Sequence, residues 1–127
     1  MPHTVHPYAH RIGILRDWRS RWFGVKGQYV NFLKCDVMIR EFLEKKLRGL
    51  LVSGVEIERG RKSLRIVIKT ARPGMLIGKS GEGAVKLKNA IIAFLKQNDL
   101  IGQEELKLDV EEIKSPESHS SIVAQMI

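Results

Sequence analysis

The sequence predicts an α+β domain in which a three-stranded sheet carries helices packed on one face, preceded by an extended basic N-terminal arm. Three observations predict it. Ile39, Phe42, Leu43 and Leu47 recur at helical spacing. Val55-Glu56-Ile57-Glu58 and Leu64-Arg65-Ile66-Val67-Ile68-Lys69 alternate with period two around the short connection Arg59-Gly60-Arg61-Lys62, which is a hairpin signal. Ala84, Leu87, Ile91, Phe94 and Leu95 mark the apolar face of a second helix, which follows Gly78-Lys79-Ser80-Gly81. One helix and a hairpin do not bury both of their apolar faces, so the economical arrangement is a sheet with both helices on one side. At 127 residues and 43% hydrophobic composition there is material for one core.

The elements follow in order. Residues 1–28 form the arm: two prolines, three histidines and no regular period before Gly24 and Gly27. The first helix is expected from Asp36, placed to cap it, to Gly49, placed to end it. Arg40, Glu41, Glu44, Lys45 and Arg48 fall on its outer face. In the hairpin, Leu64, Ile66 and Ile68 should face the core. Ala71-Arg72-Pro73-Gly74 interrupts, Met75-Leu76-Ile77 makes a short apolar turn, and the glycine-flanked segment opens the second helix. Asn98 to Glu105 is expected to loop. Leu106, Leu108 and Val110 alternate with Lys107, Asp109 and Glu111 as a third strand. The domain thus spans 29–114. Ser115-Pro116 then starts a helical run over 115–127 whose pattern is still in progress at Ile127, as if leading into a further, C-terminal domain.

Charge narrows the function. The formal net charge is +8, but residues 1–96 hold 20 Lys/Arg against 7 Asp/Glu, while residues 97–127 hold 2 against 7. A basic body with an acidic final quarter suits a polyanionic partner on one face. No apolar run approaches the roughly 20 residues of a spanning helix, so a membrane is not the expected partner. Cys35 is alone, which leaves neither an internal disulfide nor a thiolate metal site. His3, His6 and His10 have no carboxylate or cysteine nearby before Asp17, and an irregular arm does not preorganise a metal. No nucleophile has a base beside it and no carboxylates pair, so neither an enzyme nor a cofactor or small-molecule substrate is expected.

Gly78-Lys79-Ser80-Gly81 is the informative motif. Its two glycines let the backbone approach a phosphate chain closely, the following helix turns unpaired N–H groups toward the same anion, and Lys79 adds a charge. Arg72 and Lys86 lie on either side in sequence. A Gly-x-x-Gly loop in this setting clamps about four backbone nucleotides in KH modules. The competing explanation is a tight interhelical turn that needs glycine for steric reasons. A nucleotide-binding P-loop is excluded because the position that requires glycine is Pro73, with Gly74 one residue too late, and because a hairpin precedes the motif. In the arm, Arg11, Arg16, Arg19 and Arg21 interleave with Trp18, Trp22 and Phe23, aromatic residues that either stack on bases or staple the arm to the body.

These segments resemble a known family. His10-Arg11-Ile12-Gly13-Ile14-Leu15-Arg16-Asp17-Trp18-Arg19-Ser20-Arg21-Trp22-Phe23, Ile39-Arg40-Glu41-Phe42-Leu43, Ile57-Glu58-Arg59, Ala71-Arg72-Pro73-Gly74-Met75-Leu76-Ile77-Gly78-Lys79-Ser80-Gly81-Glu82 and Glu112-Ile113-Lys114-Ser115-Pro116-Glu117 are similar to bacterial-type small-subunit ribosomal protein three. The resemblance covers nearly the whole chain. It implies a type II KH domain and a cytoplasmic, ribosomal setting in the head of the small subunit. It further implies contact with ribosomal RNA, with incoming messenger RNA and with neighbouring head proteins. The alternative, from the loop alone, is a free-standing KH-type regulatory binder of single-stranded RNA.

Overall fold

The computed structural model describes residues 3–99 and 105–127. The arm holds a 3₁₀ turn at Ala9–Arg11 and a two-residue strand, β1 (Ser20–Arg21); helix α1 (Gly27–Lys46) follows. Strands β2 (Val52–Arg59) and β3 (Ser63–Thr70) form the hairpin. Helices α2 (Pro73–Ile77) and α3 (Glu82–Gln97) lead to β4 (Glu105–Glu112), and α4 (Ser120–Met126) lies near the end. The sheet order is β1-β2-β3-β4, with β2 and β3 antiparallel and the two outer pairings parallel.

The α+β class, the hairpin and the helix after the glycine-flanked loop stand where the sequence places them. The sheet gains a fourth strand, because the arm is not uniformly extended: Ser20 and Arg21 pair with Ile57 and Glu58. Two residues are too short for a period to register. The first helix begins nine positions earlier than expected, at Gly27, and Asp36 is not its cap but a buried mid-helix residue. The reason is that α1 is apolar on two sides. Cys35, Ile39 and Leu43 enter the core while Val30, Leu33 and Val37 face outward, which blurs the helical period of its first half. That half is held by packing: the Trp22 ring lies 5.2 Å from Tyr29 and 5.4 Å from Phe32. The loop expected over 98–105 falls largely outside the described residues.

One core joins the elements. Ile39 and Leu43 of α1, Ile57 of β2, Leu64, Ile66 and Ile68 of β3, Leu87, Ile91 and Leu95 of α3, and Leu106 of β4 are all buried, so α1 and α3 share one face of the sheet. Phe42 and Phe94 stack at 4.5 Å where these two helices meet. The other face carries charge pairs. Buried Thr70 ends β3: its hydroxyl donates to the Leu50 carbonyl (3.0 Å) and accepts from the Arg72 amide (3.2 Å), directing the chain into α2.

Candidate nucleic-acid interface

The loop between α2 and α3 has the backbone that its glycines permit. Gly78, Ser80 and Gly81 have φ of +70°, +56° and +77°. Ser80 therefore occupies a left-handed conformation that costs an L-residue roughly 1–2 kcal/mol. The Gly78 amide donates to the Gly74 carbonyl at 3.0 Å, closing α2, and the next three residues turn the chain directly into α3. Lys79 and Ser80 stand exposed at the tip, with no side chain of their own capping α3. Arg72 and Lys86 are exposed on the flanking turns. Met75, Ile77 and Val85 leave apolar surface beside them. The arrangement offers backbone donors and a lysine to a phosphate chain, with apolar ground next to it for bases.

The arm lies at the opposite edge of the sheet. With α2 and α3 packed on β4 and the arm pairing through β1, three strand spacings of about 4.8 Å separate the two outer strands. The basic and aromatic residues of the arm divide into two groups. Trp22 donates its Nε1–H to Asp36 Oδ2 at 2.6 Å, so it staples the arm to α1. Arg21 bonds to Asp17 (3.0 Å), Glu56 (2.9 Å) and Glu58. Burial opposes the Arg21 charge, but Glu56 and Glu58 outweigh it and hold the guanidinium more firmly protonated than usual. Trp18 and the guanidiniums of Arg11, Arg16 and Arg19, by contrast, are exposed, and among the described residues none of these arginines has a carboxylate partner. The Arg11 guanidinium donates to the Pro7 carbonyl (2.8 Å), and Arg19 lies over the Tyr8 ring at 5.4 Å.

Three further residues organise the site without a sequence signal. Arg40, expected on the outer face of α1, is half-buried and donates to the Val55 carbonyl, the Arg19 carbonyl (3.1 Å) and Ser20 Oγ (2.7 Å), tying arm, helix and sheet together. Asp36 and Arg59 form a buried pair at 2.8 Å, their side chains 3% and 4% exposed. Burial works against the Arg59 charge, and hydrogen bonds to Asp36 and Cys35 overcome it. Such contacts depend on strand register and helix phase, which no local pattern reports. On the open sheet face, Arg65 bridges Glu58 (3.1 Å) and Asp109 (2.5 Å), and Lys69 meets Glu56 (3.1 Å). That face neutralises its own charge and leaves the positive residues at the two edges to meet an anion.

Among the described residues no three His, Cys, Asp or Glu side chains converge to hold a metal ion, and no helix is long and apolar enough to cross a membrane. The KH domain family model matches residues 38–118, which span α1 from its middle to the end of the 3₁₀ turn at Pro116–Ser118. Over all 127 residues the chain is 41% identical to small ribosomal subunit protein uS3 of Hydrogenovibrio crunogenus, 40% to that of Xanthomonas oryzae pv. oryzae and 42% to that of Shewanella loihica. It spans about half the length of these relatives: 53%, 49% and 52%. The helix-strand-strand-helix-helix-strand order, the left-handed glycine loop and the family match together place it: the chain belongs to the KH-domain family.

Proposed function

We propose that the chain is a structural constituent of the small ribosomal subunit, in which it binds ribosomal RNA of the head and lies near the path of incoming messenger RNA. The observation that carries this reading is the similarity, along the whole chain, to relatives named small ribosomal subunit protein uS3. The geometry agrees with it. The glycine loop at one edge presents Lys79 and Ser80 with Arg72 and Lys86 nearby, and the arm at the other edge presents Arg11, Arg16, Arg19 and Trp18. Two separated basic surfaces suit a folded RNA, which brings phosphates to several faces at once, better than a short single strand. Arg21 and Trp22 act in this reading by holding the arm in place. Neighbouring head proteins and messenger RNA are the further partners, and the setting is the cytoplasmic ribosome, with no catalytic step.

Sedimentation tests the proposal. The native protein should comigrate with small subunits through a gradient in high salt. Its absence from the small-subunit peak, together with binding to short single-stranded RNA, would instead establish a free-standing regulatory binder.

A further inference from the structure

A recess of about 330 Å³ lies between the arm, the start of β2 and the segment leading into α4, lined by Arg16, Arg19, Ser53, Lys69, His119 and Ser121 among others. That volume is at the small end of the range for ligand sites, about 300–1,000 Å³. The recess belongs to the β1–β2 side of the sheet and contains no residue of the Gly78–Gly81 loop.

Its construction is specific. Val52 pairs with Thr70 and Gly54 with Lys69, so Ser53 is an extra, bulged residue released from the ladder. Freed in this way, Ser53 holds the C-terminal segment: its carbonyl accepts from Ser121 Oγ at 3.1 Å, and its hydroxyl meets His119 Nδ1 at 3.1 Å. In the tautomer in which the Ser53 hydroxyl donates to Nδ1, the imidazole proton sits on Nε2 and is a donor for an anion.

The charge balance is positive. Glu56 is the carboxylate in the lining, and it is already bonded to Arg21 (2.9 Å) and Lys69 (3.1 Å). Arg16 and Arg19 have no carboxylate partner among the described residues. Two guanidiniums and an imidazole around a concave floor with hydroxyls match the tetrahedral oxygens of a phosphodiester.

We propose that this recess is a second phosphate site, in which Arg16, Arg19 and His119 close on one backbone phosphate of a folded RNA while the glycine loop holds another part of the same molecule. The inference rests on the RNA-binding reading above.

Salt-dependent titrations of the 127-residue chain against a transcript of the small-subunit head RNA separate the two. The Arg16→Gln, Arg19→Gln double variant keeps the parent's circular dichroism and melting temperature, since both side chains are exposed. It should bind about ten-fold more weakly, and its plot of log affinity against log salt should be shallower by roughly one phosphate's contribution, about 0.7–0.9. His119→Gln should weaken binding in the same direction, and Arg16→Lys, Arg19→Lys should keep the slope while losing affinity. A double Gln variant that matches the parent in affinity and slope, while Lys79→Asp, Ser80→Asp loses binding, overturns the recess as a phosphate site and leaves the RNA reading standing. A parent chain that fails to bind the transcript overturns both.

Discussion

Asp36 sits where the arm, α1 and β2 meet, accepting one bond from Trp22 and another from Arg59 in a region closed to water. A buried ion pair is a weak source of net stability, yet removing one partner strands the other as an uncompensated charge. Asp36→Ala should therefore destabilise the fold by about 3–5 kcal/mol in a urea titration, and the arm should become accessible to protease before the body does. Arg59→Met, Asp36→Leu together should recover much of the loss, because the pair is then replaced rather than broken. None of this was legible in the sequence, where Asp36 has the position of a helix cap and Arg59 of a turn residue. Likewise Arg11, Arg16, Arg19 and Arg21 are equivalent members of a basic cluster until strand register places Arg21 opposite Glu58. The backbone turn at the glycine loop, by contrast, was legible, because the positive φ of Gly78 and Gly81 is written in residue type.

Among the elements, the loop and α1 make the clearest predictions. Gly81 has φ of +77°, so Gly81→Ala should cost about 1–2 kcal/mol of stability, whereas Ser80→Gly, which relieves the same kind of strain, should not lower the melting temperature. RNA affinity measured on the two variants then separates loop geometry from loop stability. Along α1, Ile39 is fully buried and Leu33 is 47% exposed. Ile39→Ala should lose about 2–5 kcal/mol, and Leu33→Ala should stay within about 0.5 kcal/mol; equal losses in thermal melts would mean that the outer stripe is covered. The hairpin and α3 could be read from sequence because each buries one face and exposes the other. The first half of α1 could not, since apolar residues surround it, and β1 could not, since a two-residue strand acquires its identity only from the neighbour it pairs with.

Across the whole molecule, acid should act through the open sheet face. Bonds from Arg21 lower the pKa of Glu58 below its ordinary 4.5; burial raises that of Glu56, but Arg21 and Lys69 bring it below 4.5 as well. A depressed carboxylate contributes stability in full above its unfolded pKa and loses it as pH falls through the folded value. The melting temperature should thus hold from neutrality to about pH 5 and decline below it. Glu58→Gln should start lower and decline less over the same interval, and parallel curves would exclude the network as the cause. The pairing of β3 bears on how the molecule is made. On one side β3 joins β2 through a short turn, but on the other its first residue, Ser63, meets Glu105, beyond all of α2 and α3. A hairpin closes in about 1–10 μs, while synthesis at about 5–20 residues per second delays the distant strand by seconds. For that time the nascent chain presents Ile66, Val67 and Ile68 along an unpaired edge, a surface open to chaperones or to a second copy, until β4 emerges and closes it.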